Sequence, residues 1–175
     1  VLERLLAHHV SNAVVAGIYD PEAVEQCVNA GIGTEVKLSV GGKIDYIFSK
    51  PLSITGRVLH LPMGGSDNKS PGAVLQVEGV TLILHSIHEA FTDPVHFQLA
   101  GIDPLAFNIV VVKEGYLFQG LRDIAPRAIM ALTPGFANQI LENLEYNQVR
   151  RPIFPFDPDM TWTASSSVVS QGHKL

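Results

Sequence analysis

One cysteine in 175 residues, Cys27, excludes two kinds of architecture together. No internal disulfide can form, and no zinc site built on several thiolates is available. Set among apolar residues in "AVEQCVNAG", the thiol reads as buried and inert, and it suits a reducing compartment. Long apolar runs are lacking too: nothing approaches the ~18 residues of a membrane-spanning helix, and no signal peptide opens the chain. Positive charge is scarce, with 12 Lys and Arg against 17 Asp and Glu and a net charge of −5. That balance gives no footprint for nucleic acid or an anionic membrane. No G-x-S-x-G nucleophile motif occurs, and no pair of histidines has the helical spacing of the metallohydrolases. The expectation is a soluble, cytoplasmic globular chain whose length can bury a real core.

What is present alternates between strand and helix patterns. "VLERLLAHHV" begins as an amphipathic helix with no cap ahead of it, which suggests a piece of something longer. "NAVVAGIYD" reads as a buried strand, and "DPEAVEQCVNAG" as a helix with Asp20 as N-cap, Pro21 in the first turn and Gly31 past the last. "TEVKLSV" alternates as a strand and would close a parallel β-α-β unit, broken by Gly41-Gly42. "LSITGRVLHLP" and "AVLQVEGVTLILHSI" form an antiparallel meander, with Glu78-Gly79 as its tight turn. Between them, residues 63–72 read as a mobile loop whose "GGSDNKS" misses the Walker spacing.

Helix and strand alternate again towards the C-terminus. "DPVHFQLAG" and "DPLAF" are short helices opened by Asp-Pro. "NIVVVK" is a strand buried on both faces, and "GYLFQGLRDIAP" is a crossover helix leading to a second buried strand, "RAIMAL". "FANQILENLEY" reads as a short helix and "RRPIFPFDPDMTW" as extended. The fold class is therefore α/β, a mixed sheet with parallel β-α-β elements at both ends and a meander between. Residues 1–160 form the domain, and 161–175 a flexible tail.

Candidate chemistry is thin. His85 and His88 lie three apart and share a face only if the strand ends before His88, while His96 stands alone on a short helix. Asp20, Asp93, Asp103 and Asp157 each precede a proline, which explains them as caps or turn formers. What remains is the rim beyond the carboxyl ends of parallel strands, where open α/β sheets collect ligands. There the sequence places Asp20, Lys113, Glu114, Tyr116 and "TPG" from Thr133 to Gly135. Lys113 either offers a cation to a substrate carboxylate or ends a strand and snorkels to solvent.

The run "GIDPLAFNIVVVKEGYLFQGLRDIAPRAIMALTPG", followed by "RRPIFPFDPD", resembles the C-terminal domain of the microcystinase C (MlrC) family of candidate zinc metallopeptidases. "VVAGIYDPEAVEQCVNAGIG", "GGK", "ITGRV" and "TDPVHFQLAGIDP" extend the match in order over about residues 2–160. Where many members have a serine and a histidine after the strand lysine, this chain has Glu114 and Leu117, so that pair does not carry over. Where many have arginines before the D-P-x-x-F helix, it has Ile87 and His88.

The resemblance implies an N-terminal domain of the same chain as partner, which holds zinc and does the hydrolysis, with a peptide or small amide as substrate. The segment read here would supply cleft wall and interface and be inactive alone. It would bind no metal and contribute no catalytic residue, with Lys113, Tyr116 and Thr133 as substrate contacts. The alternative is a non-catalytic domain that binds a small ligand or forms a homo-oligomer.

Overall fold

The computed structural model describes residues 1–44, 47–64, 70–133 and 139–166. They fall into two units, residues 1–137 and 138–175. The first unit runs α1 (Leu2–Ala7), β1 (Ala13–Tyr19), α2 (Pro21–Ala30), β2 (Glu35–Val40), β3 (Leu52–His60), β4 (Met63–Gly64), β5 (Ser70–Val77), β6 (Val80–His85), α3 (Pro94–Leu99), a 3-10 turn at Pro104–Ala106, β7 (Ile109–Val112) and α4 (Gln119–Ile124). The strands join in one sheet in the order β2-β3-β5-β6-β1-β7, with β4 paired to β5 off that path. From β2 to β6 the neighbours are antiparallel, and β1 is parallel to both β6 and β7. The mixed α/β sheet is thus as the residue pattern implies.

Local chemistry sets the elements. The Asp20 side chain accepts the Ala23 amide at 3.1 Å, Pro21 fills the first turn, and α2 ends at Gly31, whose N–H bonds the Cys27 carbonyl at 3.0 Å. Its inner face buries Ala23, Val24 and Cys27. The β5–β6 hairpin closes through Glu78, with φ at 51°, and Gly79. A Cβ on Gly79 would lie 2.4 Å from the Val10 carbonyl oxygen, so only glycine allows that approach.

The core lies on both faces of the sheet. Ala13 and Val15 of β1 join Val24, Cys27, Leu38, Val58, Leu75 and Leu82 on one face. Val14 and Ala16 join Val74, Ile83, Phe91, Phe97 and Leu121 on the other. Each large side chain so buried stabilises the fold by about 1.5–3 kcal/mol against leaving it in water. That alternation makes β1, like β5 and β6 and unlike β7, a strand covered on both sides.

Several expectations are corrected in detail. β2 does not pair with β1. It lies at the far edge of the sheet, antiparallel to β3 from Glu35↔Arg57 to Val40↔Leu52. Its polar residues alternate with Leu38 and Val40, which suits a half-covered antiparallel edge and not a doubly buried parallel strand. β7 is the other edge, so Ile109 and Val110 are exposed. "RAIMAL" forms no strand: an apolar run becomes one only with a ladder partner, and Ile129, Met130 and Leu132 stand exposed. Of the loop at 63–72, the two ends are strand residues and 65–69 lie outside the described residues.

Among its described residues the second unit holds one 3-10 turn, Leu141–Asn143, where part of a helix over 136–146 was expected; 136–138 lie outside the described residues. The N-cap of that turn, Ile140, makes no side-chain cap bond and none of the turn's residues is buried. "RRPIFPFDPD" is a series of turns and not an extended run. Asp157 organises it, taking Arg151 Nε at 2.7 Å, Arg151 Nη2 at 2.6 Å and the Ile153 amide at 2.6 Å. Arg151 holds the Asp157 carboxyl below its ordinary range, with the Ile153 amide adding to it. The peptide bonds Arg151-Pro152 and Phe154-Pro155 are cis. Residues 161–166 are exposed without regular structure, and the rest of the expected tail lies outside the described residues. No helix among the described residues is long and apolar enough to cross a membrane.

Candidate functional site at the parallel strand ends

Because β6, β1 and β7 run the same way, their carboxyl ends form one rim, where Tyr19 is the register partner of His85 and Ala16 that of Val112. β1 reaches it through an irregularity between Val15 and Ile18, at Gly17, whose φ is 80°. A bulge of this kind re-aims the side chains that follow. A Cβ on Gly17 would touch the Phe91 ring at 3.4 Å, so residues 85–97 fold back over the end of β1.

Asp20 opens one side of the rim. It is fully buried, yet each of its oxygens is answered: Oδ1 caps Ala23, and Oδ2 accepts the Gly41 amide at 2.9 Å. Lys43 Nζ lies 3.1 Å from Oδ1 and also bonds Glu22. Glu22, ahead of Asp20, holds the Lys43 ammonium above its ordinary pKa despite partial burial. Burial first, and the Asp20 charge second, push the Cys27 thiol up to about 11, so the thiolate is not available at neutral pH. Asp20 is thus a cap and a clamp on the Gly41-Gly42 turn. Sequence reasoning missed Lys43. Its position in "GGK", directly after the Gly41-Gly42 turn that Asp20 holds, was the available signal.

His85 opens the other side. Its Nδ1 lies 3.1 Å from Glu89 Oε2, while its Nε2 is buried without a protein partner. Burial lowers the His85 pKa, Glu89 opposes this, and His96 lowers it further. The His96 Nδ1 accepts the amides of Thr92 and Asp93, each at 3.2 Å, which completes the capping box of α3 with Asp93. Phe91 packs its ring against both imidazoles, 5.1 Å from His85 and 5.9 Å from His96 between centroids. A cavity of about 10 Å³ is lined by Pro62, Met63, His85, Glu89, His96, Leu99 and Ala100.

β6 ends at His85, so the condition for a His85–His88 pair is met, but His88 stacks on Tyr19 at 4.0 Å instead. Among the described residues no three His, Cys, Asp or Glu side chains converge as a metal set. A zinc ion, which the family resemblance implies for the longer protein, does not fit this rim. Catalytic zinc takes three protein ligands. Here His96 Nδ1 and Asp20 are already engaged, and among the described residues the donors that remain do not make a set of three.

The sequence-predicted contacts follow β7 and α4 along the chain. Lys113 is exposed one residue past β7, and Tyr116 is exposed with its ring 4.7 Å from that of Phe118. Thr133 is exposed, while Pro134 and Gly135 lie outside the described residues. Glu114 is half-buried. No hydrogen bond, ion pair or ring contact among the described residues joins Lys113, Tyr116 and Thr133.

The family model described as "MlrC C-terminus" matches residues 1–148. The chain belongs to the MlrC C-terminus family. Microcystinase C of Sphingomonas sp. is 26% identical over 162 residues, covering 88% of this chain and 31% of that protein. The crystal structure of a candidate metallopeptidase from Mesorhizobium sp. BNC1 superposes with a TM-score of 0.71 at 24% identity, over 93% of this chain and 35% of the other, and shows the same fold. This chain therefore spans about a third of the length of either relative. In this MlrC C-terminal fold the family-like strings fall on structure-setting positions. "GGK" supplies the Asp20 partners, and the two Asp-Pro pairs cap α3 and the 3-10 turn.

Proposed function

We propose that this MlrC C-terminal domain is the supporting part of a metal-dependent peptidase or amidohydrolase of the cytoplasm. It walls a cleft for a peptide or small amide substrate and packs against the N-terminal part of the same protein. That part holds zinc, which supplies a Lewis acid and an activated water. Of this chain's own residues, Lys113 presents an ammonium to a substrate carboxylate or carbonyl, Tyr116 offers a ring face and a hydroxyl, and Thr133 a hydroxyl. None of them moves a proton in the reaction.

The observation that carries this reading is the exposed apolar side chains on β7, the strand that Lys113 follows, and on the segment after α4. Ile109 and Val110 are each 39% exposed, and the segment after α4 exposes Ile129, Met130 and Leu132 by 78%, 49% and 54%. Exposed apolar side chains such as these are the kind that an interface covers. The second reading, a small-ligand binding module, calls for a pocket of some hundreds of Å³. The cavity at the rim, about 10 Å³, is far below that.

Metal content and peptide hydrolysis, measured side by side on this chain and on a longer protein carrying the N-terminal part, test the proposal. The longer protein is expected to hold stoichiometric zinc and to cleave, and this chain to do neither. Metal retained by this chain alone would overturn it. Lys113→Ala in the longer protein is expected to raise KM several-fold with little change in kcat. A collapse of kcat at unchanged KM would show that Lys113 takes part in the chemistry.

A further inference from the structure

The cavity between β6 and α3 is walled by two imidazoles whose hydrogen-bonding roles are fixed from behind. His96 keeps Nδ1 unprotonated, because that nitrogen accepts two backbone amides, from Thr92 and Asp93. In a neutral ring the proton must then sit on Nε2, so the nitrogen left for the cavity is a donor. His85 is fixed the opposite way. The Glu89 carboxylate, 3.1 Å from Nδ1, draws the proton to that nitrogen and leaves Nε2 a bare lone pair. Only 6% of His85 is exposed, and that Nε2 finds no partner in the protein. A buried acceptor left unanswered costs about 1–3 kcal/mol.

We propose that this cavity is a built site for one water molecule, which accepts a hydrogen bond from His96 Nε2–H and donates one to His85 Nε2. Other occupants fail on chemistry or size. An anion meets the Glu89 carboxylate and a lone pair where it needs donors. A metal cation meets an N–H on the His96 side, and binding there would strip two amides of their acceptor. A larger hydroxyl-bearing molecule exceeds about 10 Å³, which is the room one water centre needs. Met63, Leu99 and Ala100 line the remainder with apolar side chains, Met63 and Leu99 being themselves 46% and 56% exposed, and the Phe91 ring packs against both imidazoles.

The water makes the polar path continuous. It runs from Glu89 through His85 and the water to His96, and from there to the amides that open α3. The end of β6 is thereby tied to the helix that follows it, across a stretch where the chain between them has no regular structure. His85 and His96 act as positioning residues for that tie.

The test is made on the unmodified protein by long-range proton–nitrogen correlation of the imidazoles near neutral pH, together with a high-resolution crystal structure. The expected result is His85 with its proton on Nδ1, His96 with its proton on Nε2, and one density peak about 2.7–3.2 Å from both Nε2 atoms. A proton on His85 Nε2, a direct contact between the two rings with nothing between them, or bound metal at that point would each overturn the proposal. In His85→Leu the peak is expected to vanish and the His96 Nε2–H to exchange with solvent at least tenfold faster, while the Thr92 and Asp93 amides stay protected. An unchanged His96 exchange rate in a folded variant would count against it as well.

Discussion

His85 ends β6 and Asp20 follows the end of its parallel neighbour β1, and the Asp20 amide bonds the His85 carbonyl at 2.9 Å. Both side chains are almost wholly buried, yet their polar atoms are treated differently. Asp20 has two amides and an ammonium around its carboxylate. His85 has a carboxylate at one nitrogen and no protein partner at the other. Burial of a titratable group therefore says little about function by itself. A closed set of partners accounts for the group as structure, whereas an unanswered lone pair asks for something from outside the chain.

The largest effect should fall on the closed side. Asp20→Ala removes the α2 cap, leaves the Gly41 amide unanswered and strands Lys43, with an expected loss of roughly 3 kcal/mol in urea unfolding. Asp20→Asn should lose much less, since the amide oxygen still caps the helix. A loss under about 1 kcal/mol for the alanine variant would show that the network does not hold the strand end.

On the open side the effect should be smaller and set by pH. His85 is kept neutral by burial and His96 against the pull of Glu89, so its folded pKa lies below its ordinary value. The unfolded chain takes up the proton near pH ~6.5 and the folded one only lower, so stability should decline as pH falls below ~6.5. It should stop declining once folded His85 also protonates. At neutral pH, His85→Leu should stay within about 1 kcal/mol of the parent, because an apolar group of similar size needs no partner. The same variant should lose the part of the acid decline due to His85. Equal pH slopes in parent and variant would remove His85 from the account.

The smallest effect belongs to the solvent-facing arm of the closed cluster. The Glu22 side chain is 72% exposed, so Glu22→Gln should change stability by no more than about 0.5 kcal/mol, and less at high salt. A loss near that of Asp20→Ala would mean that Lys43 is held by Glu22 and not by the buried carboxylate.

Much of the fold was legible because its signals are local. Asp20, Asp93 and Asp103 each accept the amide expected of a cap, and Glu78-Gly79 turns the hairpin it was assigned. What was hidden depends on residues distant in sequence. Periodicity cannot say that β1 lies between β6 and β7, nor that "RAIMAL" finds no ladder partner. The same limit governed the site. His85 and His96 were visible as histidines, but their opposed tautomers come from Glu89 and from two amides, which no spacing rule reveals.

The position of β1 has a consequence for how the chain is made. Ala13 pairs with Val80 on one side and Ile109 on the other, so β1, the first strand of this sheet to be synthesised, is the last to gain both of its neighbours. Until β6 and β7 have emerged from the ribosome, the run of Val14, Val15 and Ala16 has neither edge satisfied. Pairings between such distant residues form slowly, and an uncovered apolar strand is prone to self-association meanwhile. The antiparallel β2–β3 ladder needs only nearby chain and can form early, so assembly should proceed from that wing inwards, with β1 the last strand to be enclosed.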